Sequence, residues 1–302
     1  MCLQILNSRL NFFQNLPRQE FTVVEHDPNK LVTKLTVRSA NVSTNGILLS
    51  IVGGDPRHHF RLDSHTRELL TTSEVDREYR SKYDLWIAAI DQHAQPMISY
   101  ANVVINVLDI NDNKPRFEMV SYSASVAENG ESNELVLKIR AQDSDSGKNA
   151  DISYSLLNDG TDAWKYFRID EKTGEIFTIT SLDAELFREC RLSVIARDYG
   201  SPSLSAITVV KIEVLDENDN SPRFSNLFHG TVDENSPPGT PIIQVTSYDA
   251  DFNSTLEYGL EGVDADKFSI EQHTGLISLA TEIDREKVCL LGNTCSLKIF
   301  FM

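Results

Sequence analysis

The chain has 302 residues, of which 40% are hydrophobic and 24% are charged. This composition can build ordinary hydrophobic cores, and at about 100 to 200 residues per domain the length predicts two or three domains. The chain carries 28 lysines and arginines against 45 aspartates and glutamates, a formal net charge of −17. That charge repels nucleic acid phosphates and anionic membrane surfaces and favours a cationic partner. No stretch approaches the roughly 20 apolar residues of a membrane span.

Three copies of one pattern follow each other along the chain. The sequence LDINDNKPRF, which begins at Leu108, recurs as LDENDNSPRF from Leu215, 107 residues further on (215 − 108). A second pattern, in which Phe is followed two residues later by Leu or Ile, then by an acid, and by Thr three residues after that acid, begins at Phe60, Phe167 and Phe268. Several patterns that recur in one order at nearly one period are the signature of a repeat array. We predict an atypical N-terminal segment at residues 1–19, a degenerate repeat I at 20–113, repeat II at 114–220 and a truncated repeat III at 221–302.

Each copy carries the patterns of short strands. Segments such as KYDLWIAAID and AITVVKIEVLD alternate or run apolar, contain β-branched residues and are bounded by turn residues. No long helical periodicity competes with them. The spacing predicts an all-β fold, with one antiparallel sandwich of about seven strands per repeat and the repeats joined end to end. Trp86 and Trp164 fall within this pattern, and we expect both to fill hydrophobic cores.

Acidic and amide residues gather where the first copy meets the second. They come from the first copy, from the linker and from the second copy: Glu25, Asp76, Glu78, Asp109, Asn111, Asp112, Asn113, Asp143, Asp145 and Asp198. So many carboxylates share one place only when cations neutralise them, and Ca²⁺ prefers such an all-oxygen set. Zinc or copper would favour His or Cys. The loop histidines His58, His59, His65 and His93 fall outside the acidic motifs and are predicted to be plain surface residues.

These motifs resemble those of the cadherin superfamily over roughly residues 20–302. The linkers DINDNKP and DENDNSP are similar to its DxNDNxP linker, DRE and DAE to its LDRE, and DSD and DAD to its DxD. The likeness is closest in kind to the large Fat, Dachsous and protocadherin-like cadherins. It implies tandem seven-stranded Greek-key β-sandwiches joined by calcium-binding linkers, with Ca²⁺ as the cofactor.

The resemblance also implies a ligand set for each junction. At the first junction it adds the backbone carbonyls of Ile110 and Asn149 to the residues named above. At the second junction it implies Glu128, Asp183, Glu185, Asp216, Glu217, Asn218, Asp219, Asn220, Asp249, Asp251 and Asn253, with Glu217 and Asn220 acting through their carbonyls. Ala184 replaces the central arginine of the motif, but both ligand carboxylates remain.

Two copies depart from the family pattern. The third copy stops before the final aspartate and last strand of a full repeat, so we expect a truncated repeat and an incomplete second site. The first copy has no DxD motif at residues 37–45, and Arg67 stands where the other copies have Gly174 and Gly275. A junction upstream of repeat I would therefore lack ligands.

Cysteines and one sequon suggest covalent modification. Cys289 and Cys295 resemble the C-x5-C loop of protocadherins, and we predict a disulfide between them. Cys2 and Cys190 have no assignment. Asn41 opens an Asn-Val-Ser sequon and is a candidate glycosylation site.

The function that the resemblance implies is calcium-dependent cell–cell adhesion or recognition, homophilic in kind, on the extracellular side of the plasma membrane. The expected partners are other cadherin molecules on the same or adjacent cells, with a membrane anchor outside this chain. Calcium-stiffened spacer repeats without partner contact are the alternative. A metal-dependent hydrolase is disfavoured, because the acids recur at every junction and no Ser/His/Asp or Cys/His set accompanies them. No nucleic acid or small-molecule substrate is expected.

Overall fold

The computed structural model describes residues 2–7, 19–39, 46–72, 75–91, 98–252, 254–262, 264–284 and 298–301. Within these ranges the helices are single 3₁₀ turns, at Gly147–Asn149, Ala163–Lys165 and Ala265–Lys267. The remaining elements are strands, so the predicted all-β class is confirmed. A search of these residues finds no helix with the length and apolar character needed to cross a membrane.

Repeat I is a sandwich of two sheets. Its strands, with one more from the N-terminal segment, are β1 (Cys2–Asn7), β2 (Gln19–Val24), β3 (Leu31–Ser39), β4 (Ile47–Gly53), β5 (Phe60–Leu62), β6 (Glu68–Thr71), β7 (Lys82–Asp91) and β8 (Ile98–Leu108). The sheet orders are β1-β3-β6-β5 and β2-β8-β7-β4. β1, from the N-terminal segment, lies parallel to β3.

Repeat II has a similar arrangement. They are β9 (Arg116–Phe117), β10 (Ser121–Ala127), β11 (Leu135–Lys138), β12 (Ala141–Gln142), β13 (Ile152–Leu156), β14 (Phe167–Ile169), β15 (Glu175–Thr178), β16 (Glu189–Asp198) and β17 (Ser205–Leu215). The two large sheets run β10-β17-β16-β13 and β11-β15-β14, and β12 pairs with β9.

The described part of repeat III contains seven strands. They are β18 (Arg223–Phe224), β19 (Pro241–Gln244), β20 (Ser247–Tyr248), β21 (Tyr258–Glu261), β22 (Phe268–Ile270), β23 (Leu276–Leu279) and β24 (Lys298–Phe301). They form the sheets β18-β20, β19-β23-β22 and β21-β24.

One strand pair that recurs in both complete sandwiches is parallel, unlike the expected antiparallel arrangement. β2 runs parallel to β8, and β10 runs parallel to β17. In both repeats these two strands, the first and the last of the sheet in chain order, therefore end at the same end of the sandwich, next to the following linker. The backbone N–H of Glu25 donates to the carbonyl of Leu108 at 3.2 Å, and that of Glu128 donates to Leu215 at 3.0 Å. This pairing delivers a glutamate to each junction.

Each repeat has its own hydrophobic core, built by the two-residue period of its strands. In β17 the side chains of Val210, Ile212 and Val214 are buried, while the residues between them face solvent. The cores of repeats I and II each gather many fully buried residues. In the described part of repeat III the buried hydrophobic residues are only Val245, Tyr258, Ile277 and Leu279.

Three side chains lie where the sequence did not predict them. Trp86 is 50% exposed and Trp164 is 36% exposed, so the prediction that they fill cores is wrong. Trp86 stands between two buried residues of β7, and strand alternation turns it outward. Trp164 sits in a surface 3₁₀ turn.

His59 is buried, with 4% of its surface exposed, so its assignment to the surface is also wrong. Its Nδ1 lies 2.5 Å from the hydroxyl of Tyr83, a core residue of β7. The carboxylate of Asp55 accepts the backbone N–H groups of His59 and Phe60, both at 2.8 Å. These bonds satisfy polar groups inside the sandwich. His58 and His65 are exposed as predicted, and His93 lies outside the described residues.

Candidate metal centres at the repeat junctions

A buried glutamate forms the base of each junction. Glu25, 1% exposed, accepts hydrogen bonds from the backbone N–H groups of Arg77 at 2.8 Å and Ile110 at 2.9 Å. Glu128, 2% exposed, accepts those of Ala184 at 2.7 Å and Glu217 at 2.6 Å. Glu25 thereby connects the turn before β7 to the linker after β8. Glu128 connects the turn before β16 to the linker after β17.

The same turn carries two further acids. Asp76 Oδ1 accepts the N–H of Tyr79 at 2.9 Å, and Asp183 Oδ1 accepts the N–H of Leu186 at 3.1 Å. These local bonds hold a tight turn. Glu78 and Glu185, two residues after each aspartate, join the carboxylates of the linker.

The linker reaches across each junction to the next repeat. At the first junction Asn113 donates to Asp145 through its side-chain amide at 2.8 Å. At the second, Asn220 makes the equivalent bond to Asp251 at 2.9 Å.

The linker aspartates accept bonds in the same way. Asp109 Oδ2 accepts the backbone N–H of Ser146 at 3.1 Å, and Asp216 Oδ2 accepts that of Phe252 at 3.0 Å. Asp109 Oδ2 also accepts the side-chain amide of Asn149 at 2.8 Å. The two junctions thus repeat one geometry.

The loop of the following repeat completes the cluster. Asp143 Oδ1 accepts the N–H of Asp145, and Asp249 Oδ1 accepts that of Asp251, both at 3.1 Å. Asp198 at the end of β16 is 2% exposed, and its Oδ2 accepts the side-chain amide of Asn111 at 3.2 Å. The carbonyls of Ile110 and Glu217 lie in tight turns of the linkers, where each accepts the N–H two residues on.

Carboxylate oxygens come within 4.8 Å of one another in several groups. At the first junction the groups are Glu25 with Glu78 and Asp109, and Glu78 with Asp112 and Asp145; at the second they are Glu128 with Asp183 and Glu185, and Glu185 with Asp216 and Asp251. Burial, followed by the charge of Glu25, raises the pKa of Glu78 to about 7. Burial, together with Asp183 and Glu128, raises the pKa of Glu185 to about 7. Such crowding of like charges favours bound cations.

The donor set fits calcium. Buried Asn111 Oδ1 and Asp143 Oδ2 have no hydrogen-bond partner, and an unpaired buried oxygen is costly unless another group satisfies it. Carboxylate, amide and carbonyl oxygens in an irregular, partly buried set are the ligands that Ca²⁺ takes. The residues that would hold it are therefore those that the linkers bring together.

Not all predicted positions are equivalent or described. Asn218 is exposed, whereas its counterpart Asn111 is partly buried and donates to Asp198 and to the carbonyl of Pro202. Asn253, the cysteine pair Cys289 and Cys295, and Asn41 lie outside the described residues. Cys190 is a buried free thiol in the core of repeat II, and burial raises its pKa to about 11.

Sequence reasoning missed several residues beside the ligands. His26 Nε2 lies 3.0 Å from Asp112 Oδ2, and at the second junction Asn129 Nδ2 lies 2.6 Å from Asp219 Oδ2. Arg77 forms ion pairs with its neighbour Glu78 and with Asp109. His26 and Asn129 each follow the glutamate that recurs in every copy. Their position next to that glutamate could have identified them from the sequence.

Serial β-sandwiches with acid clusters between them define a class of extracellular repeat proteins. A family model described as Cadherin domain matches residues 19–108, 122–215 and 228–301, and the chain belongs to the cadherin family. It is 35% identical over 270 residues to Protocadherin Fat 4 of Homo sapiens, covering 87% of this chain and 5% of that protein. It is 34% identical over 263 residues to Cadherin EGF LAG seven-pass G-type receptor 3 of Mus musculus, covering 85% and 8%.

Solved structures show the same architecture. Mouse Cadherin-23 EC22-24 superposes with a TM-score of 0.77 at 29% identity, covering 90% of this chain and 87% of that one. The Protocadherin GammaB4 extracellular domain gives 0.77 at 29% identity, covering 89% and 45%. Cadherin repeats are adhesion modules and not enzymes. The chain spans only 5% of the length of Protocadherin Fat 4.

Proposed function

We propose that this chain is part of the extracellular region of a plasma-membrane cadherin that mediates calcium-dependent cell–cell adhesion. The observation that carries the proposal is the convergence, at each junction, of carboxylates from one repeat, the linker and the next repeat. The partners are other cadherin molecules on the same or adjacent cells, and binding is homophilic. The protein is anchored in the membrane by a segment outside this chain.

Calcium, when bound, supplies the positive charge that bridges these carboxylates. Without it, Glu185 and Asp216 at the second junction repel one another, and hydrogen bonds such as Asn220 to Asp251 are left to orient the repeats. Extracellular sites of this type bind calcium at about 10⁻⁴ to 10⁻³ M, so they are filled outside the cell. The acids of both repeats then hold the linker in one orientation, and the array becomes stiff.

An exposed apolar patch on the outer face of repeat I favours direct contact over the spacer function. On the β2-β8-β7-β4 sheet, Leu48, Trp86, Ile98 and Tyr100 are each 40% to 50% exposed. At the corresponding position of repeat II, Ser205 replaces Ile98. Aromatic residues in such a patch are typical of binding hot spots. With a net charge of −17, two copies approach most easily over a patch whose own side chains are uncharged.

A calcium titration of the chain tests the proposal. Protease resistance should rise, and the spread of hydrodynamic radii should narrow, near millimolar calcium, and both changes should reverse with chelator. Asp112→Ala removes a first-junction carboxylate and should raise the calcium concentration needed, whereas Glu175→Gln, in an exposed pair with Lys138, should not. A titration in which calcium changes nothing would defeat the calcium assignment.

Bead aggregation tests the adhesive contact. Beads coated with the chain should aggregate in calcium and should disperse when Trp86→Glu places a charge on the outer face of repeat I. Ser205→Glu adds the same charge to the equivalent sheet of repeat II and should leave aggregation intact. Equal aggregation by both variants would leave the spacer function as the better account.

A further inference from the structure

Arg77 joins three parts of the first junction. Its side chain is 15% exposed. The guanidinium pairs through Nη2 with Glu78 of repeat I and through Nε with Asp109 of the linker. Nη2 also donates to the carbonyl of Ser144 in repeat II at 2.5 Å. One cationic side chain thus connects the three segments whose carboxylates form the cluster.

The guanidinium pairs with carboxylates that belong to a candidate calcium site. The carboxylate oxygens of Glu25, Glu78 and Asp109 lie within 4.8 Å of one another, and Arg77 pairs with two of the three residues. The contact with Glu78 is a charge-assisted hydrogen bond, about twice as strong as a neutral one, and the contact with Asp109 is an ion pair. A metal ion that takes the same oxygens must therefore displace the arginine.

Among the described residues, the second junction has no such cation. Ala184 occupies the position of Arg77, and its methyl group cannot reach the acids. The carboxylates of Glu185, Asp216 and Asp251 still gather within 4.8 Å, and in the parts of the chain that the structure covers no lysine or arginine is paired with them. The nearby Arg188 instead lies over the ring of Phe252, 3.4 Å from its centroid.

We propose that the Arg77 guanidinium is a built-in cation that holds the first junction together when calcium is absent and leaves it when calcium binds. The second junction, with Ala184, then depends on calcium for its order. The two junctions of one chain therefore stiffen at different calcium concentrations, and the second is the hinge at low calcium. The calcium half of this inference rests on the proposed function; the half that concerns the ion-free protein does not.

Hydrogen exchange of the full chain in chelator tests the ion-free half. Protection factors are compared for linker peptides 108–117 and 215–224, which have nearly the same sequence. We expect the first linker to be protected about fivefold more than the second, the order of effect for a partly buried charge-assisted pair. Arg77→Ala should abolish the difference.

Two further variants and one control measurement test whether the effect belongs to the Arg77 guanidinium. Arg77→Lys keeps the charge but loses the fork and should give intermediate protection. Arg191→Ala removes the same charge from an exposed pair with Glu189 and should change neither linker. Exchange of the β7 amides reports whether repeat I remains folded in each variant. Equal protection of the two wild-type linkers, or no loss in Arg77→Ala, would overturn the inference.

Hydrogen exchange of the same linker peptides, measured during a calcium titration, tests whether calcium displaces the Arg77 guanidinium. In Arg77→Ala no guanidinium has to leave, so the first linker should become protected at a calcium concentration about fivefold lower than in the wild type. An unchanged or higher midpoint contradicts displacement. If calcium protects neither linker, the proposed function fails while the chelator comparison still stands. If calcium protects both linkers but their protection is equal in chelator, only the present inference fails.

Discussion

Glu128 has a structural function that is separable from calcium. Its two carboxylate oxygens accept the backbone N–H groups of Ala184 at 2.7 Å and Glu217 at 2.6 Å in a site that is 2% exposed. Glu128→Gln keeps one acceptor oxygen and turns an amide toward the other donor. Hydrogen bonds to a charged group contribute about 1.5 to 3 kcal/mol each, so losing one costs about 2 kcal/mol. Glu128→Ala loses both and costs about twice as much.

The buried thiol of Cys190 offers an assay for this loss. Cys190 lies in the core of repeat II and reacts only when the core opens. A loss of about 2 kcal/mol increases opening about 30-fold, at 1.36 kcal/mol for each factor of ten. Labelling is measured by peptide mass spectrometry in chelator, with Glu175→Gln as control. A pH of 6 is suitable, because the raised pKa of Glu185 leaves that neighbour mostly uncharged and little repulsion is relieved.

The outcome separates the two functions of the residue. Faster labelling of Cys190 in Glu128→Gln without calcium shows that the carboxylate holds the turn to the linker by itself. Labelling that matches the wild type in chelator, and differs only when calcium is present, would refute the hydrogen-bond account and leave Glu128 as a ligand alone.

The remaining predictions concern pH and backbone strain. Since burial raises the pKa of Glu78 and Glu185 to about 7 from the ordinary 4.5, their protonated forms favour the ion-free fold, and this contribution is lost as pH rises through about 7. Calcium competes with those protons, so calorimetric titration should show affinity falling by up to about tenfold per junction from pH 8 to pH 6; equal affinities would contradict the shifts. Arg67 has a φ of +61° where repeats II and III have glycine, and Arg67→Gly should stabilise repeat I by about 1 kcal/mol in thermal unfolding. Gly174→Ala should destabilise repeat II by about 2 kcal/mol or more, because the new Cβ would lie 2.5 Å from the carbonyl oxygen of Ile139; an unchanged melting temperature would show that the loop adjusts.

Much of the fold could be predicted from the sequence because the patterns that specify it are local and recur in each repeat. The alternation of β17 predicts which of its residues are buried, since successive side chains point to opposite faces of a strand. The linkers from Leu108 and Leu215 are nearly identical, and that repetition by itself indicates a shared geometry. The acids of both candidate sites could be chosen from sequence for the same reason.

Contacts between distant segments were decided only by the tertiary structure. Glu25 meets Ile110 across 85 residues because β2 lies parallel to β8, and Arg77 reaches Ser144 across 67 residues. Neither the direction of a pairing nor the reach of a side chain is encoded in a local pattern. Trp86 illustrates the same limit, since an apolar residue in an apolar strand faces outward when the alternation of its neighbours requires it. The sequence alone determined the repeat class and the residues of the junctions, and packing determined how those residues are connected.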